Sequence, residues 1–518
     1  MWQIRLLPAF FTVGSWTMFS RVLGLVRDMM LAAFLGTGPV AQAFLIAFTL
    51  PNMFRRFFAE GAFNMAFVPI FAKKLEGDED PLDFARDAFS ALAVFLIGFT
   101  LLAQLAMPWF VLAMASGFAG DERFELSVFF GRIAFPYILF ISLTALLSGV
   151  LNALGRFAAA AAAPILLNVI VISALLLGYW TGGDLGLWLI WSIPLAGVAQ
   201  FILVWVGAAR AGMPLVPKLP RLTPDLRRLG LIAAPALLTG GVQQINLLVG
   251  RQVGSFFDGA VAWLSYADRL YQLPLGVVGV AIGVVLLPDL SRRLRANDVA
   301  GARHTVNRST ELTLALTVPA ALALIVIPVP IVSVLFERGQ FTAADTQATA
   351  LAVMIYAAGL PAFVLQKIYL PMYYAREDTR SPLRFTLRAM VVNAVVAIAL
   401  APLIGFSAAA LGTTLAGWIM LFELWRGSRA MGEATAWDDS LKRIAPRILL
   451  ASALMAGTLL FLQWAMGDSL SAPGWRYGAL GVLVGLGGAA YLGFSMAVGS
   501  IGLADIKRLL RDRPRGQA

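Results

Sequence analysis

The sequence predicts an all-α polytopic membrane protein with about fourteen transmembrane helices. Three observations predict it. Of the 518 residues, 59% are hydrophobic and only 13% charged, against about 25% charged in an ordinary soluble chain. Apolar runs of about 20 residues recur from one end to the other. The loops between them alternate between basic and nearly uncharged, as the loops on the two sides of a membrane do. The shorter alternating segments of a β-barrel are absent.

Composition also excludes several functions. There is no cysteine, which rules out disulfides, thiol catalysis and thiolate metal sites. The single histidine, His304, lies in a polar stretch, so no histidine cluster can hold a metal. The net charge of +11 does not point to nucleic acid, because Lys and Arg collect in the cytoplasmic loops of membrane proteins. No Walker A sequence and no nucleophile–histidine pair is present, and a transporter is expected rather than an enzyme.

The hydrophobic segments lie near 6–36, 39–71, 86–115, 128–153, 160–180, 186–209, 227–256, 260–288, 308–336, 345–373, 384–401, 406–427, 444–465 and 474–502. In the first, Arg5 precedes an apolar run that Arg21 interrupts and no cleavage signal follows, which reads as an uncleaved span. One set of loops carries Lys73 and Lys74, Arg156, Arg210 to Arg228, Arg292 to Arg308, Arg376 to Arg388, Arg426 to Arg443, and a tail from Lys507 to Arg515. The other set holds little beyond Arg123, Arg338 and Arg476. Both termini are therefore expected in the cytoplasm. The stretch RANDVAGARHTVNR (295–308) reads as a polar cytoplasmic loop with an interfacial helix, and the basic tail as a solvated end near anionic lipid.

A weak internal repeat lays VAQAFLIAFTLPN (40–52) over AVAWLSYADRLYQ, and AFVPIFAKKL (66–75) over VVLLPDLSRRL, which brings Pro69 onto Pro288. Two lobes of six spans follow, 1–222 and 223–430, with residues 431–518 holding two more spans and the tail. An even span count gives the lobes the same orientation, and a substrate site is expected in the cleft between them.

The chemistry concentrates in a few spans. At 100° per residue, Gly14, Thr17, Ser20, Arg21, Gly24, Arg27 and Asp28 share an arc of about 140° on the first helix. Met18, Phe19, Val22, Leu23, Val26, Met29 and Met30 lie opposite. A buried Arg27–Asp28 ion pair is the structural alternative to a binding role, and it does not account for Arg21. The second span carries Asn52, Arg55, Arg56 and Glu60 after Pro51. Arg56 and Glu60 have the i, i+4 spacing of a helical pair, which leaves Arg55 as the spare cation. In the eighth span Ser265, Asp268, Arg269, Gln272, Gly276, Gly279 and Gly283 share an arc of about 100°. Arg251 is expected to snorkel outward, and Lys367, between Pro361 and Pro371, is a cavity candidate. A charge at mid-bilayer costs about 2.5–3.5 kcal/mol on insertion scales. Six cations against Asp28, Glu60 and Asp268 are therefore expected to serve an anionic substrate, because guanidinium groups bind phosphate oxygens two at a time and do not deprotonate.

SRVLGLVRD (20–28), AFLIAFTLPNMFRRFFAEGAFNMAFVPIF (43–71), FPYILFISLTALLSGVLNALGRF (135–157) and SYADRLYQLPLGVVGVAIGVVLLPDLS (265–291) resemble the MurJ/MviN family of bacterial lipid II flippases, within the multidrug/oligosaccharidyl-lipid/polysaccharide exporter superfamily. The resemblance runs through essentially the whole chain. It implies two pseudo-symmetric six-helix lobes around a cavity, and two C-terminal helices forming a groove for a lipid tail. The implied substrate is lipid II, an undecaprenyl-diphosphate-linked peptidoglycan precursor, carried from the cytoplasmic to the periplasmic leaflet of the inner membrane by alternating access. The implied substrate-binding residues are Arg21, Arg27, Arg55, Arg269, Asn52 and Lys367, with Asp28, Arg56, Glu60 and Asp268 as gating or ion-pair residues. A monomer among membrane lipids is expected, with no nucleic acid, no metal and no cofactor. The drive would be the membrane potential or a monovalent cation. The family pattern has an acidic residue where this chain has Gln42, and can have Glu where it has Gln272. Some members bind sodium in the second lobe, but the eleventh span here, Arg384 to Ala401, holds no acidic residue, and that site is not carried over. The alternatives are an exporter of another polyprenyl-diphosphate glycan or an amphiphilic drug, and a membrane enzyme or scaffold acting on the same lipid.

Overall fold

The computed structural model describes residues 3–56, 64–77, 79–219, 221, 223–296, 298–376, 378–472 and 474–500. Every regular element among them is helical, with no strand. In lipid this is forced: unsatisfied N–H and C=O groups are too costly there, and a helix satisfies its own. The first helices are α1 (Gln3–Leu35), α2 (Pro39–Arg55), α3 (Asn64–Gly77), α4 (Pro81–Ala115), α5 (Glu122–Ala134), α6 (Tyr137–Ala153), α7 (Ala158–Thr181) and α8 (Leu185–Arg210). The remainder are α9 (Pro224–Gly254), α10 (Ala260–Arg295), α11 (Val299–Val326), α12 (Pro328–Phe336), α13 (Ala343–Tyr374), α14 (Arg380–Ile404), α15 (Ser407–Ser428), α16 (Asp439–Ser471) and α17 (Trp475–Val498).

Local chemistry sets the boundaries. Asp121 accepts from the Arg123 N–H at 2.7 Å and opens α5, and Asp184 takes the Gly186 N–H at 2.8 Å and opens α8. Thr223, followed by Pro224 at the first helical position, opens α9. These are helix N-caps of the usual Asp/Thr kind. Asp298 likewise accepts from Gly301 at 2.8 Å. The stretch read as a polar loop with an interfacial helix over 295–308 is mostly helix: α10 runs to Arg295 and α11 begins at Val299. Around Phe135 and Pro136, α5 and α6 meet at a 42° bend.

Among the described residues, nine helices are long and apolar enough to cross a membrane, or ten if the bent α5–α6 pair is one span. The count of fourteen rests on the hydropathy of the sequence. Within the second hydrophobic segment the described residues are helical on both sides, as α2 and α3, and residues 57–63 lie outside the described set.

The described residues pack as two compact units, one drawn from Met1–Ala262 with Arg338–Thr342, the other from Trp263–Glu337 and Ala343–Ala518. In the first, α1 lies on α7, α2 on α5, α6 on α8, and α9 on α3 and α4. Its core is aromatic, with Phe67, Phe71, Phe89 and Phe135 almost fully buried. In the second, α13 lies between α11 and α15, α14 packs on α15, and α16 pairs with α17 and with α11. Val364, Ile368, Met372 and Leu424 build one core there, and Ala451, Met455 and Leu483 another.

Candidate functional site

The polar arc expected on α1 is there. Arg27 and Asp28 are buried, at 8% and 9% exposure, while Met18, Phe19, Val22 and Val26 on the opposite side are exposed. The Arg27 guanidinium donates to Asp28 Oδ1 from Nε at 2.9 Å and from one terminal nitrogen at 2.7 Å. Its other terminal nitrogen donates to Asn168 Oδ1 on α7 at 3.1 Å. The guanidinium carbon lies 5.8 Å from the centre of the Phe48 ring, within cation–π range. The ion pair weighed as the structural alternative thus exists, and Arg27 is cradled by α1, α2 and α7. Arg21 is half-buried on the same helix.

On α2, Pro51 cannot donate to the helix ladder, and next to it the Asn52 amide donates to the Phe48 carbonyl at 2.8 Å. Arg55 is half-buried in the last turn and Arg56 is exposed. Glu60, and with it the expected Arg56–Glu60 pair, lies outside the described residues. Gln42, where the family pattern has an acid, is 2% exposed. Its amide donates to the Thr37 carbonyl at 3.1 Å, and among the described residues its Oε1 has no partner.

In the second unit Asp268, Arg269 and Gln272 are half-buried along α10. Gln272 Nε2 donates to Asp268 Oδ2, so the amide that stands where Glu can occur holds a carboxylate that a second acid would repel. Tyr271, beside them, stacks on Tyr356 at 5.3 Å. Lys367 is half-buried on α13. Its neighbours there are structural: Gln366 donates to the Gly417 carbonyl at 2.8 Å, and Tyr369 is buried.

Among the described residues no cluster of acidic groups or histidine could hold a metal. Of the cations singled out from the sequence, Arg21, Arg27, Arg55 and Arg56 lie in the first unit and Arg269 and Lys367 in the second. Of the acids weighed against them, Asp28 and Asp268 are among the described residues. Outside the spans, Lys74 pairs with Asp225 at 2.9 Å, and that carboxylate raises its pKa. Lys218 is raised chiefly by Asp87, also at 2.9 Å. The first pair ties the end of α3 to the start of α9, and the second ties the stretch before α9 to α4. Asn168 went unremarked in the sequence because a lone amide in the apolar run LLNVIVIS carries no periodic or motif signal.

A family model described as "Lipid II flippase MurJ" matches residues 31–472. A protein of Rhizobium tropici described as "Probable lipid II flippase MurJ" is 43% identical over 525 residues, spanning 99% of this chain and 98% of its own length. One of Rhizobium meliloti with the same description is 43% identical, over 98% and 97%. The solved structure "Lipid II flippase MurJ, inward closed conformation" shares the fold, with a TM-score of 0.80 at 24% identity over 96% of this chain and 99% of its own.

Proposed function

The chain belongs to the lipid II flippase MurJ family, and from that membership we propose that it carries the undecaprenyl-diphosphate-linked peptidoglycan precursor from the cytoplasmic to the periplasmic leaflet. It is an integral membrane protein and a transporter, not an enzyme. The observation that carries the reading is the surplus of guanidinium groups on buried or half-buried helix faces. A diphosphate is the ligand such groups fit best.

The proposed contacts are Arg21, Arg27 and Arg55 from the first unit, with Asn52 beside them, and Arg269 and Lys367 from the second. Asp28 neutralises Arg27 while no substrate is bound. An arriving diphosphate, more highly charged than a carboxylate, competes for the same guanidinium, and Asp28 acts as the gate. On α10, Asp268 has the corresponding place beside Arg269. The alternation of basic loops supports cytoplasmic termini in the inner membrane, and a monomer suffices for this scheme. The membrane potential is a sufficient drive, since one charge crossing 100 mV gains about 2.3 kcal/mol.

The test is rescue of bacteria depleted of their own flippase, combined with a leaflet-specific assay of lipid II. The wild-type chain is expected to restore exposure of lipid II in the outer leaflet, and Arg27→Ala, Arg55→Ala and Arg269→Ala to fail. Full rescue by all three variants would remove the arginines from the site. Unchanged outer-leaflet lipid II on loss of the protein would overturn the function.

A further inference from the structure

Asn168 is the buried polar residue closest to the proposed chemistry that this scheme leaves without a task. It is 5% exposed, on an α7 that is otherwise apolar around it. Its side-chain amide donates to the Ser20 carbonyl at 3.0 Å and to the Pro164 carbonyl at 3.3 Å. Two carbonyl acceptors on one side fix which way the amide faces, because turning it over would set oxygen against oxygen. Oδ1 is thereby aimed at Arg27. Ser20 and Arg27 are seven residues apart, on one face of α1, so Asn168 grips α1 at the backbone of one turn and the charged head two turns on.

We propose that Asn168 is a positioning residue for substrate binding, which sets the edge of the Arg27 guanidinium offered to the diphosphate. A guanidinium has five N–H groups. Asp28 engages Nε and one terminal nitrogen, and Asn168 engages the other terminal nitrogen. That leaves one N–H on each terminal nitrogen to offer to phosphate oxygens. Without Asn168 the head keeps Asp28 and the Phe48 ring but loses the hydrogen bond that fixes its other terminal nitrogen. The proposal rests on the flippase reading, since it assigns a role in holding the diphosphate.

The test uses the full-length chain in nanodiscs, titrated with purified lipid II, with thermal unfolding followed in parallel. Asn168→Ala is expected to weaken lipid II binding about tenfold. In an Arg27→Lys background the same change is expected to shift binding less than about twofold, because an ammonium has no planar fork to orient. Asn168→Leu, near the same size and suited to an apolar helix, is read in both backgrounds as a variant secure in folding. A residue that merely clips α1 to α7 would weaken binding equally in both backgrounds, and that result overturns the proposal. So does wild-type affinity in Asn168→Ala and Asn168→Leu. A folded wild-type chain that binds no lipid II rejects the flippase reading itself, an outcome separate from either.

Discussion

Replacing Asp28 by Ala is the sharpest test of how Arg27 is held. The change removes both short contacts to the guanidinium, at 2.9 and 2.7 Å. It leaves a cation whose side chain is 10% exposed, opposite a partner at 12%. Removing one member of a buried pair costs about 3–5 kcal/mol, because the remaining charge stays desolvated. Asn168 and the Phe48 ring still face Arg27, which places the effect at the lower end, about 3 kcal/mol. A unit of this size loses about 2–4 °C in melting temperature per kcal/mol, so the shift should be about 6–12 °C. Scanning fluorimetry in detergent measures it directly. Asp28→Asn, which keeps an acceptor oxygen, should fall between the two. The double variant Arg27→Ala with Asp28→Ala should recover most of the loss, since neither desolvated charge remains. A shift under about 1 °C for Asp28→Ala, or a double variant less stable than the single one, would refute the reasoning that desolvation governs this pair.

Other sites yield equally direct expectations. A Cβ on Gly117 would lie 2.5 Å from the Ser255 carbonyl carbon and 2.6 Å from the Phe256 nitrogen. Both are backbone atoms that cannot rotate away, so Gly117→Ala should cost about 1–3 kcal/mol and lower the melting temperature accordingly. Gly339 has φ +59° and its Cβ would meet the Ala33 carbonyl at 2.1 Å. Gly339→Ala should break the Gln340 N–H to Ala33 bond of 2.9 Å, seen as faster hydrogen exchange at the Gln340 amide. Asp438 accepts from the Leu441 N–H and from Arg308, both at 2.7 Å. Burial works to raise its pKa, but these partners together hold it below the ordinary carboxylate value. A depressed folded pKa gives stability that is present above the unfolded value of 3.8 and lost as the pH falls through the lower folded value. Asp438→Asn should therefore melt lower than wild type at pH 7, by about 1 kcal/mol or less given its partial exposure. The gap should narrow as the pH falls below 3.8, and a gap that does not change with pH would refute the assignment.

The sequence was a good guide to what depends on neighbours three or four residues away. The polar face of α1 followed from periodicity, and exposed Met18, Phe19, Val22 and Val26 opposite buried Arg27 and Asp28 match it. It was a poor guide to helix boundaries in polar stretches, where a single cap such as Asp298 decides the outcome. The family blocks brought Arg27, Asp28 and Asn52 to attention, but they did not say which of them would be bonded to its own helix. Asn52 is, through the Phe48 carbonyl, and Arg27 and Asp28 are bonded to each other, while Arg27 also reaches Asn168 on α7.

Sequence by itself determined that this is a helical membrane protein with charges where lipid makes them costly. The bilayer imposes that pattern on every apolar run without reference to the rest of the chain. Only the tertiary structure decided what those charges meet. Asn168 reaches Arg27 across 141 residues, α9 settles on α3 and α4, and Gln340 bonds Ala33 at the end of α1. Helix faces are fixed by local geometry, whereas their partners are fixed by packing between distant segments, for which a single sequence carries no period to read.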